Sequence, residues 1–309
     1  MRHKRKPPRP RKSPVSGDGD NALPLLLELE RFSASSLHSW KIAKRKFDAI
    51  HSDLYFGLEA QRQQHSKLIQ EALRRAVTGP FRFENWGRMA DYRYTLEPLS
   101  MSGSVKGDGG RFNIGGELNP SSFTPFPALY IAENYDTALR ERLGAGASGL
   151  QPMEMALRSP ASFTYVRVKG NLESVIDVGR LDSLRPLADV LKEFEMPKNV
   201  QKLARDIGLK RPPSLVRSPL ALQQRLLDRN WRASPVQYGL PANTQIFGRM
   251  VNGAGIHGIL YPSARNKAHQ CLALFPQNWA GSTSFVEVID AVPASARSIR
   301  WDGASRVFA

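Results

Sequence analysis

The chain has 309 residues, 41% of them hydrophobic, enough for one large folded core or two small ones. Its net charge of +16 attracts anions: nucleic acid, nucleotides or an acidic protein surface. Cys271 is the single cysteine, which excludes an intrachain disulfide and a multi-cysteine zinc site, and no run of about 18 uninterrupted apolar residues is present to span a membrane as a helix.

Residues 1–20 read as a disordered basic arm. The opening MRHKRKPPRPRK is charged and Pro-rich and has no apolar area to bury. No apolar signal-like run follows it, so a cytoplasmic protein is expected. The arm is a candidate contact for nucleic acid, although a charge run alone specifies no base reader.

Residues 21–78 read as a helical extension. Leu23, Leu25, Leu26, Leu27 and Leu29 make a short apolar stretch. A longer helical pattern covers about 35–76, with a break expected near His51-Ser52-Asp53. Gly79-Pro80 closes the extension. A main domain over 79–292 and a C-terminal tail over 293–309 complete the expected layout. The main domain opens on Phe81-Arg82-Phe83, which alternates as a strand does.

The stretch 107–143 organises the rest. It begins with glycines around one arginine, Gly109-Gly110-Arg111-Phe112-Asn113. Glycine permits positive φ and close approach of a ligand. The fork of Arg111 suits phosphate oxygens. The spacing is neither a Walker loop nor a dinucleotide fingerprint, so by itself the cluster is consistent with a plain hairpin loop. A short strand, Ala128-Leu129-Tyr130-Ile131-Ala132, follows. Asn134 and Asp136 then start a helix, with Glu141 expected early in it. One cation, one aromatic and one carboxylate on adjacent elements suit a phosphate-bearing ligand whose reaction develops positive charge.

Farther on, 161–168 reads as a strand and 172–178 as its neighbour across a Lys169-Gly170-Asn171 turn. Helices are expected at 183–194, 200–207 and 219–230 and from Asn243, stopped by Asn252-Gly253. Strands are expected at 258–261, 270–275 and 284–289. His257, flanked by glycine, reads as structural. Helices and strands intermix without a β-α-β rhythm. The fold class is therefore α+β, with a mixed or antiparallel β core.

Four blocks together resemble the RES domain family: Gly109-Gly110-Arg111-Phe112-Asn113, Leu129-Tyr130-Ile131-Ala132, Ala138-Leu139-Arg140-Glu141 and Gly258-Ile259-Leu260-Tyr261-Pro262-Ser263-Ala264-Arg265. The family is named for an arginine, a glutamate and a serine, matched here by Arg111, Glu141 and Ser263. The resemblance covers about residues 79 to 291. It implies a fold related to ADP-ribosyltransferases and destruction of NAD+ at its nicotinamide–ribose bond, by a phosphorylase using inorganic phosphate or by a glycohydrolase using water. It also implies a toxin neutralised by an Xre-like antitoxin.

On that resemblance, Glu141 stabilises the cationic ribose, and Arg111 holds the pyrophosphate or an incoming phosphate. Arg82 is a second candidate for that charge, and Asn113 belongs to the same binding set. Tyr130 stacks on nicotinamide, holds the ribose, or is simply a core tyrosine. Ser263 orients Glu141, binds phosphate, or caps its turn; no nucleophile elbow surrounds it. No metal ligand set is apparent. Two other readings remain open: transfer of ADP-ribose to a macromolecule through the same Glu141, and a non-catalytic module binding nucleic acid or protein through the basic arm.

Overall fold

The computed structural model describes residues 34–119, 121–143, 163–210 and 213–305. The basic arm and the leucine stretch at 23–29 lie outside the described residues, as do 161–162 and 211–212. The chain falls into two compact units, 1–45 and 46–309. Of the first, the described part is 34–45, the opening turns of helix α1 (Ala34–Gln64). Among the described residues no helix is long and apolar enough to cross a membrane.

The second unit is built on one eight-stranded sheet: β1 (Phe81–Asp91), β2 (Leu129–Ala132), β3 (Phe163–Leu172), β4 (Val175–Asp177), β5 (Gly258–Pro262), β6 (Gln270–Leu274), β7 (Phe285–Val288) and β8 (Arg300–Asp302). The spatial order is β4-β5-β6-β2-β1-β3-β7-β8. Every pairing is antiparallel except β4 with β5. The class is α+β, as the intermixed pattern predicts.

Strand periodicity divides the core between the two faces of the sheet. Leu129, Ile131, Leu260, Leu272 and Leu274 pack on one face with Val168 and Trp279. Their alternates Ala132, Ile259, Tyr261, Cys271 and Ala273 pack on the other. That second face is covered by helices. α2 (Ser66–Arg75) buries Ile69, Ala72 and Leu73, an i, i+3, i+4 set. Between β4 and β5 come α4 (Leu181–Leu191), α5 (Lys198–Asp206), α6 (Pro219–Leu226), α7 (Ala233–Tyr238) and α8 (Asn243–Gly253). Helix α3 (Tyr135–Leu143) follows β2.

Several elements differ from the sequence reading. α1 runs unbroken through His51–Asp53, and the break falls at His65. Within the second unit His51 stacks on Tyr238 at 3.9 Å, so that polar triplet is a packed face and not a turn. Lys169-Gly170-Asn171 is no turn either: β3 continues through it to Leu172. A Cβ on Gly170 would sit 2.4 Å from the Phe83 ring and from the Phe285 carbonyl oxygen, so this glycine serves close strand packing. β4 therefore leaves β3 and lies parallel to β5. α7 and β8 were not anticipated. β8 pairs with β7, so the sheet reaches past residue 292 into the stretch read as a tail.

The loop from Gly107 to Asn113 passes between β2 and α8, half-buried as far as Gly110 and buried from Arg111 on. Gln245, fully buried in the first turn of α8, supplies partners. Its Nε2 donates to the carbonyls of Asp108 (2.7 Å), Asn113 (3.1 Å) and Gly110 (3.2 Å), while its Oε1 accepts from the Ala242 N–H at 2.9 Å. Gly248, one turn on, lets the helix meet the loop: an added Cβ would lie 1.9 Å from the Phe112 carbonyl oxygen. Gly109 takes φ +94°, a conformation costly to any residue with a side chain.

Gln245→Leu strands these carbonyls in the core and should destabilise the protein by about 2–4 kcal/mol. Arg82→Ala, at an exposed strand position, should change stability by less than about 0.5 kcal/mol. Denaturant unfolding measures both. Equal stability of Gln245→Leu and wild type would contradict the clamp.

Candidate functional site

A cleft of about 330 Å³ opens on the helical face of the sheet. Its floor is Tyr130, Tyr261 and Cys271 from three adjacent strands; one wall is Gly109, Gly110 and Arg111, and another is Ala138, Glu141 and Arg142 of α3. Ala138, Glu141 and Arg142 stand at i, i+3 and i+4, one stripe of the helix. Five arginines line the cleft, Arg88, Arg111, Arg142, Arg232 and Arg265, against two carboxylates, Asp91 and Glu141. The cleft is therefore strongly cationic.

Glu141 lies in the second half of α3 as described, not early in it. The helix start is as read: Asn134 Oδ1 accepts from the Thr137 N–H at 2.9 Å, an N-cap bond. Ser263, only 2% exposed and one residue past β5, donates Oγ–H to Glu141 Oε1 at 2.5 Å. Its Oγ accepts from the N–H groups of Asn266 (2.9 Å) and Arg265 (3.1 Å). Those two donors leave the hydroxyl proton free to point at the carboxylate. Asn266 then ties the turn to α3, with Nδ2 donating to Thr137 Oγ1 at 2.9 Å and to Asp136 Oδ2 at 3.2 Å. Glu141 and Ser263, 122 residues apart, are thus held on one rigid joint.

Arg111 lines the cleft and is buried, 7% exposed. Its Nη1 donates to the carbonyls of Asp228 (3.0 Å) and Leu226 (3.1 Å), which fix the guanidinium in place. Tyr130 also reaches the cleft, but its hydroxyl is committed inward. It donates to Asn113 Oδ1 and accepts from the Phe112 N–H, both at 2.9 Å. Burial pushes its phenol well above the ordinary range. Only the ring is free to touch a ligand.

Asn113 is fully buried and does not line the cleft. Its Oδ1 takes the Gly110 N–H at 3.0 Å, and its Nδ2 donates to the carbonyls of Ser104 (2.7 Å) and Phe126 (3.0 Å). It shapes the loop from within. Arg82 is exposed, paired in register with Asn171 near the start of β1, away from the cleft-lining end of that strand. His257 is buried and bonded through Nδ1 to Ser284 Oγ at 2.7 Å, a structural position.

Sequence reasoning missed three groups. Arg88 is on β1; its guanidinium donates to the carbonyls of Ser100 (2.6 Å), Pro98 (2.7 Å) and Tyr130 (3.1 Å). Burial, with Arg142 nearby, holds its pKa down to about 10. Trp231 and Arg232 reach the cleft from the loop between α6 and α7, a helix that was not foreseen. Gln245 is the third, a polar side chain in the first turn of α8 whose Nε2 partners are all tertiary. Among the described residues no group of three or more His, Cys, Asp or Glu is placed to hold a metal ion.

No curated protein matches the chain in sequence. Among solved structures it is similar to a chain of the M. tuberculosis MbcT–MbcA toxin–antitoxin complex, at 14% identity and a TM-score of 0.41, covering 74% of this chain and 93% of that one. The RES domain matches residues 85–302, and that match decides the assignment. With over two thirds of its length matched by that domain, the chain belongs to the RES domain family.

Proposed function

We propose that this protein destroys NAD+ by breaking the bond between nicotinamide and ribose. The observation that carries the reading is the 2.5 Å hydrogen bond from Ser263 to Glu141 within an arginine-lined cleft. Nicotinamide leaves NAD+ already carrying positive charge and becomes neutral. No general acid has to protonate it. The ribose left behind gains oxocarbenium character, so a fixed negative charge beside it lowers the barrier.

Glu141 supplies that charge. Among the described residues, the hydrogen bonds to its carboxylate fall on Oε1, from Ser263 and, longer, from the Arg265 N–H at 3.4 Å. Oε2 is then left for a ribose hydroxyl. Ser263 holds the carboxylate in one rotamer and is not a nucleophile. Arg111, locked by two backbone carbonyls, meets the phosphates. The acceptor is inorganic phosphate or water. The family further supports a toxin role, restrained by an antitoxin protein with an Xre-like region.

The test is NAD+ consumption by the purified protein, with and without inorganic phosphate, with products identified by mass. Glu141→Ala should lower the rate by about 10²–10³. Loss of NAD+ only with phosphate, yielding a phosphorylated ADP-ribose, marks a phosphorylase; loss without it marks a glycohydrolase. A folded, antitoxin-free protein that leaves NAD+ intact would overturn the reading. In cells, expression should arrest growth, and Glu141→Ala should relieve the arrest. Arrest by that variant equal to wild type would separate toxicity from this chemistry.

A further inference from the structure

The insert between β4 and β5 reaches the cleft at only two described positions, Trp231 and Arg232. Both sit on the loop between α6 and α7. Arg111 fastens that loop to the site: its Nη1 donates to the carbonyl of Asp228 on the loop and to that of Leu226 at the end of α6. A further turn bond, Asn230 N–H to Asp228 Oδ1 at 2.8 Å, stiffens it. The Arg111 guanidinium lies 5.7 Å from the Trp231 ring centre and that of Arg232 lies 4.8 Å from it. One indole thus holds two guanidinium groups by cation–π attraction.

Arg142 contributes a third cation from α3. It is tethered to Asp91 on β1 and lies near the Phe163 ring. It lines the same cleft as Arg232; burial lowers its pKa, and the charge of Arg232 lowers it further. Like charges gathered in a half-buried cleft repel, and an anion between them converts that repulsion into attraction. Planar guanidinium forks match phosphate oxygens, and three of them from three elements exceed what one phosphate group uses.

We propose that Arg232 and Trp231, with Arg111 and Arg142, form a diphosphate clamp, so that the site selects dinucleotides and nucleoside diphosphates by their linked phosphates. Arg111, Arg142 and Arg232 touch the diphosphate; Trp231 is a positioning residue that aligns Arg111 and Arg232. The clamp rests on the cleft being the substrate site. Trp231 and Arg232 are the helical insert's share of it, which gives that insert a function beyond covering the sheet.

Binding of ADP, AMP and adenosine to the full chain, followed by calorimetry, tests the clamp. ADP carries the diphosphate but has no nicotinamide bond to break. Wild type should bind ADP about tenfold or more tightly than AMP. Arg232→Gln should weaken ADP by about tenfold and adenosine hardly at all, with Arg232→Lys recovering part of the loss. Trp231→Leu should resemble Arg232→Gln, and Trp231→Phe should retain most of the affinity. In NAD+ cleavage the loss in Arg232→Gln should fall on KM and not on kcat.

Wild type that does not separate ADP from AMP, or Arg232→Gln that binds ADP as wild type does, would overturn the clamp. Arg232 is exposed, so its variants test the proposal even where Trp231→Leu fails to fold. The two readings fail separately. ADP discrimination without NAD+ loss keeps the clamp and removes the cleavage chemistry. NAD+ loss with unaltered binding in Arg232→Gln does the reverse.

Discussion

The site depends on burying a loop. The backbone from Gly107 to Asn113 runs between the sheet and α8, and buried carbonyl and N–H groups must find partners or cost about 1–3 kcal/mol each. Three side chains meet that demand from three directions: Gln245 from α8, Tyr130 from β2, and Asn113 from the loop itself. Their combined effect is to set Arg111 at the cleft edge with its guanidinium already oriented. A fully satisfied polar network of this kind specifies one arrangement. Here that arrangement places a cation in the cleft that the Glu141 carboxylate also lines.

The carboxylate side is built on a different joint. α3 carries Glu141, and the turn after β5 carries Ser263. Asn266 and the Asn134 cap lock the turn and the helix start together. Residues that line the cleft and residues that hold the frame are therefore separable. On the proposed chemistry Glu141 and Arg111 face the ligand. Ser263, Asn113 and the Tyr130 hydroxyl act through other protein atoms, a division that favours preorganisation over movement.

Much of this was legible in the sequence, for identifiable reasons. Strands β2, β5 and β6 are short apolar runs bounded by turn residues, and Asn134 is a clear N-cap. Arg111, Glu141 and Ser263 could be grouped because each lies within a compact block whose order fits the family, and the structure places Arg111 and Glu141 in one cleft with Ser263 bonded to Glu141. Other features were hidden because their cause is tertiary. Asn113 looks like a ligand-facing polar residue until its backbone partners at Ser104 and Phe126 come into view. Gly170 looks like a turn until Phe83 stacks over it. Arg82 and Arg88 lie six residues apart on one strand, and only the topology puts Arg88 at the cleft and Arg82 in solvent. Trp231 and Arg232 lie past the apolar face of α6, Leu222 and Leu226, in a loop where no periodicity marks what the side chains reach.

On the proposed chemistry Ser263 works through Glu141 and has no separate duty toward substrate or acceptor. A double-mutant cycle on NAD+ cleavage reads this directly, using Ser263→Ala, Glu141→Ala and both together. The account predicts that Ser263→Ala lowers kcat by about tenfold in the wild-type background, the loss of one charge-assisted hydrogen bond, and by almost nothing once Glu141 is gone. Additive losses would contradict it and give Ser263 an independent contact with the reacting groups.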